Sequence, residues 1–204
     1  MSKPNPVLLI HGIFDTTAVF EHMSGYLTER DWEVHSLNLV PNFGTVGLEK
    51  LAHRVADYIA NTFGTEQSID LIGFSMGGIV TRYYLQRLGG IKRVERYISI
   101  SAPNHGTLMA YTLPFPGVVQ MRPNSELLQD LNGDGAELLS RINFTVMWTP
   151  WDLMIIPPSS SRMSVGKEVK LPVLVHKWML SDKKSKETVA RVLAEPVNFA
   201  MASD

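Results

Sequence analysis

No cysteine occurs anywhere in the chain, which excludes disulfide staples, thiolate metal sites and a cysteine nucleophile. Charge of one sign is also lacking: 19 Lys and Arg against 20 Asp and Glu leave a formal net charge of -1. That balance creates no field to gather nucleic acid or strongly cationic partners, so binding has to be explained by a built site. Long hydrophobic runs are missing too. Nowhere do about 18 apolar residues follow one another, so no integral membrane segment is expected. The stretch Met1 to Ile10 carries one lysine and an apolar run of only four residues, Val7 to Ile10, too short for the core of a signal peptide. A soluble, cytoplasmic protein is the expectation. Internal repeats, low-complexity tracts and heptads are absent as well, which leaves an ordinary globular chain. At 204 residues it reads as one domain, able to bury roughly 70% of the surface its unfolded form exposes.

What the chain does contain is a regular alternation of strand and helix patterns. Val7 to Ile10 is a continuous apolar run of the kind buried on both faces. Phe20, Met23, Tyr26 and Leu27 follow at helical spacing behind Thr16-Thr17, whose hydroxyls suit a helix start. Val34 to Val40 reads as a second strand, and Leu48, Leu51, Val55, Tyr58 and Ile59 as an amphipathic helix stopped near Gly64. Ile69 to Phe74, Met76 to Leu88 and Arg96 to Ser101 continue the pattern. It breaks at Pro103, where a turn-rich but apolar insertion runs to about Arg141. Strands return at Phe144 to Trp148 and near Glu168 to Leu171, and a helix is expected from about Ser185 to Ala194. Repeated units of this length predict an α/β fold, a three-layer α/β/α sandwich around a mainly parallel sheet of about six strands. Ligands of such sheets bind beyond the carboxyl ends of the strands.

One of those ends carries Gly73-Phe74-Ser75-Met76-Gly77, between an apolar strand and a helix. A Gly-x-Ser-x-Gly turn holds its serine in a strained conformation with the hydroxyl exposed, and flanking glycines let strand and helix pack closely. Ser75 is therefore the candidate nucleophile. It needs a base, and six histidines are available. His22, His35 and His53 fall inside predicted helices or the second strand, where solvated or core roles suit them better. His176 follows the last strand and precedes the last helix, in a loop that can reach over the elbow, and is taken as the base. The base needs an acid to fix its tautomer. Asp152, after the strand Phe144 to Trp148, is the candidate; its bland alternative is a turn former behind Pro150. Asp130, Asp134 and Asp182 lie in the insertion or tail, and Asp70 at the wrong end of its strand. For an oxyanion, the backbone N–H of Met76 at a helix start is one donor, and Ile13, with Phe14 as alternative, the other.

The order Ser75, Asp152, His176, together with Val-Leu-Leu-Ile-His-Gly-Ile-Phe at 7–14, Gly-Phe-Ser-Met-Gly-Gly at 73–78 and Ile-Ser-Ala-Pro-Asn-His-Gly-Thr at 100–107, resembles the α/β-hydrolase superfamily. Within it the chain is similar to the small bacterial lipases and esterases, over nearly its whole length. The resemblance implies hydrolysis of small-molecule or lipid esters through an acyl-enzyme, with no cofactor and no metal. It makes His11 a structural member of the oxyanion segment and His105 a loop residue near the site. Two features depart from the pattern: Leu174-Val175 precede His176 where such lipases commonly have a glycine, and the only candidate cap is the 103–141 insertion. Phe14, Met109, Leu113 and Trp151 are the substrate-binding candidates; the apolar residues of the insertion suit an acyl pocket or plain core equally. The same site also suits an acyltransferase or thioesterase, and a silent hydrolase fold used for ligand binding is the reading from a different class. Dehalogenase or epoxide hydrolase chemistry would want an aspartate where Ser75 stands.

Overall fold

The computed structural model describes residues 4–197. Strands β1 (Val7–Ile10), β2 (Val34–Leu37), β3 (Ile69–Phe74), β4 (Val94–Ile100), β5 (Asn143–Trp148) and β6 (Lys167–Lys170) form one sheet in the order β2-β1-β3-β4-β5-β6. Every neighbouring pair is parallel, so all carboxyl ends share one edge of the sheet. The chain steps from β1 to β2 on one side and then back to β3 on the other, which puts the topological switch point beside β1.

Successive strand residues face opposite sides, and each side has its own apolar core. Leu8, Ile10, Leu71 and Tyr97 pack with α2 (Leu48–Phe63), α3 (Met76–Arg87) and the segment between β4 and β5. Val7, Leu9, Ile72, Phe74 and Ile98 pack on the other side with α1 (Glu21–Thr28) and the helix that follows β6. Full burial of each such Val, Leu, Ile or Phe contributes about 1.5–3 kcal/mol relative to exposure. β1 and β3 are buried along their whole length, as their unbroken apolar runs require. No helix among the described residues is long and apolar enough to cross a membrane.

Two element boundaries near β1 and β2 differ from the sequence reading. β2 ends at Leu37 rather than Val40, because the chain then leaves the sheet to bring the Leu39 N–H to His11 Nε2 at 2.9 Å. Thr16 does cap the turn after β1, accepting from the Ala18 N–H, but that first turn is a 3-10 turn, Thr17–Phe20, before α1 begins.

The segment between β4 and β5 holds a 3-10 turn, Leu108–Tyr111, and three helices, α4 (Pro116–Val119), α5 (Glu126–Gly133) and α6 (Gly135–Leu139). It lies on the α2/α3 side, where Val118, Met121, Leu128, Leu131 and Leu139 join that core. Two arginines of α3 fasten it. The fully buried Arg82 donates to the Leu131 carbonyl at 2.7 Å and to Asn132 Oδ1 at 2.9 Å, and Arg87 holds Asp130 at 2.9 Å and Asp134 at 2.8 Å. Burial pushes the Arg82 guanidinium down to about 10, which leaves it charged at neutrality and makes each of these acceptors costly to remove. The last helix, α7 (Lys183–Leu193), starts two residues before the expected Ser185 because Asp182 caps it, accepting from the Lys184 and Ser185 N–H groups.

Candidate active site

β3 ends at Phe74, and the chain reverses into α3 through Ser75, whose φ of 54° and ψ of -125° lie in a region that non-glycine residues seldom adopt. Such backbone costs about 1–3 kcal/mol and persists only where its surroundings dictate it. Here the Ser75 N–H donates to the Ile100 carbonyl of β4 and the Gly78 N–H to the Ser75 carbonyl, both at 2.9 Å. A Cβ at Gly77 would lie 2.3 Å from the Ile10 carbonyl oxygen, and one at Gly73 would lie 2.7 Å from Gly78 Cα. The glycines of the pentapeptide are thus set by backbone contact between β1, β3 and α3. Ser75 stands at the switch point, facing Gly12 at the end of β1, where an added Cβ would meet Ser75 Cβ at 2.9 Å.

Asp152 leaves the carboxyl end of β5 and is only 2% exposed. Its Oδ1 accepts from the N–H groups of Met154 at 2.9 Å and Ile155 at 3.0 Å, which fixes the carboxylate plane. His176 Nδ1 lies 2.7 Å from Oδ2 and 2.9 Å from Oδ1 of the same group. A carboxylate only accepts, so Nδ1 carries the hydrogen and Nε2 is left as the basic nitrogen. The His176 ring packs on Phe74, the residue before Ser75, with centroids 4.8 Å apart. His176 and Ser75 are each 8% exposed, so both are shielded yet reachable.

The amides expected to bind an oxyanion differ in their engagement. Met76 is the first residue of α3, where an N–H has no acceptor within its helix. Phe14 donates its N–H to the Asn42 carbonyl at 2.8 Å, so that amide is already committed. His11 shapes this loop. Its Nε2 accepts from the Leu39 N–H at 2.9 Å and its Nδ1 donates to the Gly12 carbonyl at 2.8 Å. Burial lowers its pKa, which suits a neutral ring bonded on both nitrogens. His105 is exposed, with Nδ1 3.3 Å from Asn132 Nδ2, and Asp70 lies at the opposite end of β3 bound to Arg96.

A small apolar cavity of about 80 Å³ opens beside Ser75, lined among others by Ile13, Met109, Leu113, Val118, Met121 and Ile155. Phe14, Met109 and Leu113 border it as expected, but Trp151 does not; it is 56% exposed. The turn in which Asp152 accepts from residues 154 and 155 instead directs Met154 and Ile155 to the cavity wall. A larger surface depression of about 600 Å³ between Tyr83, Gln120 and Asp130 does not include Ser75, so its size gives it no claim on the chemistry. Sequence reasoning missed the Met154 and Ile155 amides and also Thr107, whose Oγ1 donates to the Met154 carbonyl and accepts from the Ile156 N–H, both at 2.9 Å. Thr107 closes the Pro-x-x-Gly-Thr segment, so the signal was there without its partner.

Comparison with known proteins agrees with this architecture. The family model described as palmitoyl protein thioesterase matches residues 6–151, well over half of the chain, spanning Ser75 and stopping one residue before Asp152. Among solved structures, the mature form of Bacillus licheniformis lipase BlEst2 superposes with a TM-score of 0.77 at 13% identity, covering 95% of this chain and 93% of that one. Aspergillus fumigatus lipase B gives 0.79 at 20% identity over 96% of this chain but 54% of its own. Phospholipase PlaB from Legionella pneumophila gives 0.78 at 11%, over 95% and 60%. At these identities the likeness establishes the α/β-hydrolase fold.

Proposed function

The chain belongs to the palmitoyl protein thioesterase family, and from that premise we propose that it hydrolyses acyl esters or thioesters through Ser75, His176 and Asp152. The observation that carries this reading is the His176–Asp152 bond of 2.7 Å, made by a carboxylate that two backbone N–H groups already hold in place, at the strand edge where Ser75 sits. In the proposed cycle Ser75 Oγ attacks the acyl carbon and its proton passes to His176 Nε2. Asp152 stabilises the imidazolium and keeps the ring in the tautomer that can accept. The Met76 and Ile13 N–H groups take the oxyanion; one such donor is typically worth about 2.7–4 kcal/mol of transition-state stabilisation. His176 then protonates the departing alkoxide or thiolate, and water releases the acid by the reverse sequence.

The segment between β4 and β5 acts in this reading as a fixed cap. Arg82 and Arg87 tie it to α3, the helix that begins at the nucleophile. Oxygen esters are the leading substrates, and the family match favours thioesters as a second reading. Matched oxygen esters and thioesters of one acid, turned over by wild type and Ser75→Ala, separate the two. Ser75-dependent release of either product is the expected result. Turnover that survives Ser75→Ala, or none by the folded wild type, refutes the mechanism.

A further inference from the structure

Resting on the Ser75 reading, we infer that Thr149 is a positioning residue: its hydroxyl ties the loop that carries His176 to the turn that carries Asp152, and so keeps the base within bonding distance of its acid. β5 and β6 pair in parallel up to Trp148 and Lys170, and the Leu171 N–H then donates to the Trp148 carbonyl at 2.8 Å. Two residues beyond that pair stand Pro150 and Pro172. Neither has an N–H, so the prolines give the ladder no donor with which to continue. The Thr149 hydroxyl supplies the next bond across the gap instead, donating to the Val173 carbonyl. Thr149 is fully buried and Val173 is buried too, so the bond is shielded from water.

Spacing gives this bond its reach. Asp152 lies three residues beyond Thr149, and His176 three residues beyond Val173. Thr149 Oγ1 also accepts from the Trp151 N–H at 3.3 Å, at the start of the turn that presents Asp152. One oxygen therefore serves the acid's turn and the root of the base's loop. The acid has further support from the Met154 and Ile155 N–H groups and from Thr107, but those bonds leave the His176 loop untouched. Phe74 backs the imidazole face without a directional bond. On the far side of His176, Lys177 pairs with Asp15, yet that lysine is 60% exposed, so the pair is open to water and salt and anchors the loop less firmly than a buried bond. No glycine turns the chain sharply into His176 either: Val175 before it is extended, at φ -120° and ψ 132°. The ring's distance from Asp152 is thus inherited from the anchor at Val173. A misplacement of about 1 Å in such a pair can cost roughly 10²-fold in rate.

Single-turnover acylation by a chromogenic ester tests this in wild type, Thr149→Val and Thr149→Ser. Valine keeps the shape and loses the hydroxyl; serine keeps the hydroxyl. In folded Thr149→Val the rate at saturating ester should fall at least about fivefold with the half-saturating concentration unchanged, while Thr149→Ser stays within about fivefold of wild type. A smaller loss in Thr149→Val, a loss that lies in the half-saturating concentration instead, or a Thr149→Ser outside that limit overturns the inference. Should Thr149→Val not fold, Thr149→Ala, in which water can reach the Val173 carbonyl, is held to the same criteria. Should turnover prove independent of Ser75, the catalytic reading fails, and the pair is read without substrate from the low-field NMR signal of the His176 Nδ1–H. A signal that broadens or vanishes in Thr149→Val but not in Thr149→Ser supports the anchor; the same signal in all three proteins refutes it.

Discussion

Replacing Asp152 by asparagine isolates the role of a single oxygen. Oδ1 of Asp152 is held by the N–H groups of Met154 and Ile155 at 2.9 and 3.0 Å, so the oxygen of the replacement amide must occupy that corner. Its NH2 is then forced into the place of Oδ2, 2.7 Å from His176 Nδ1. Nδ1 also lies 2.9 Å from Oδ1, but two donors cannot share the shorter contact, so the balance shifts to a ring that carries its hydrogen on Nε2 and accepts at Nδ1. In that tautomer Nε2 cannot take the Ser75 proton. The same tautomer trap in serine proteases costs about 10⁴ in kcat, equivalent to about 5.5 kcal/mol of barrier. The variant is isosteric and keeps both backbone bonds, so its thermal midpoint should stay within a few degrees of wild type. Pre-steady-state acylation with a chromogenic ester reads the effect directly. An Asp152→Asn protein that acylates within tenfold of wild type would refute Asp152 as the group that orients His176.

Gly77→Ala and Gly12→Ala should fail in different ways. At Gly77 the new Cβ strikes the Ile10 and His11 carbonyls at 2.3 and 2.6 Å, so urea unfolding should show a loss of about 3 kcal/mol or more. At Gly12 it strikes Ser75 Cβ at 2.9 Å, so acylation should fall roughly 10²-fold with far less loss of stability; equal stability losses would contradict this division. Asp70 offers a pH test. Its carboxyl is pushed up to about 6, because lost hydration outweighs the pull of Arg96. A group raised in the folded state contributes its full stabilisation below its unfolded range near ~4 and loses it as pH rises through the folded value, here a swing of roughly 3 kcal/mol. The stability of wild type relative to Asp70→Asn should therefore decline between pH ~4 and ~7, and a difference that does not vary with pH would show that the buried carboxylate carries no such penalty.

The parts legible in the sequence are those that local patterns decide. β3 runs from Ile69 to Phe74 as its apolar run indicates, and α2 spans Leu48–Phe63 as its spacing and Gly64 require. Asp152 and His176 were paired by their places at strand ends and meet at 2.7 Å. What was not legible depends on bonds across long separations. Leu39 leaves β2 for a histidine 28 residues earlier, and Phe14 loses its free amide to Asn42. Trp151, a substrate-binding candidate from the sequence, is left exposed by the turn that supplies the Met154 and Ile155 amides. β6 is an edge strand whose residues read Lys-Glu-Val-Lys, a charged pattern that protects an edge and gives only a weak strand signal.

Whether Ser75 is an activated nucleophile is read by covalent trapping. Folded protein treated with a small serine-directed alkylphosphonate and analysed by intact mass and peptide mapping should carry one adduct, on Ser75. The adduct should be absent from Ser75→Ala and form much more slowly in His176→Ala. No adduct on the folded wild type, or one that survives Ser75→Ala, would mean that Ser75 is not the nucleophile.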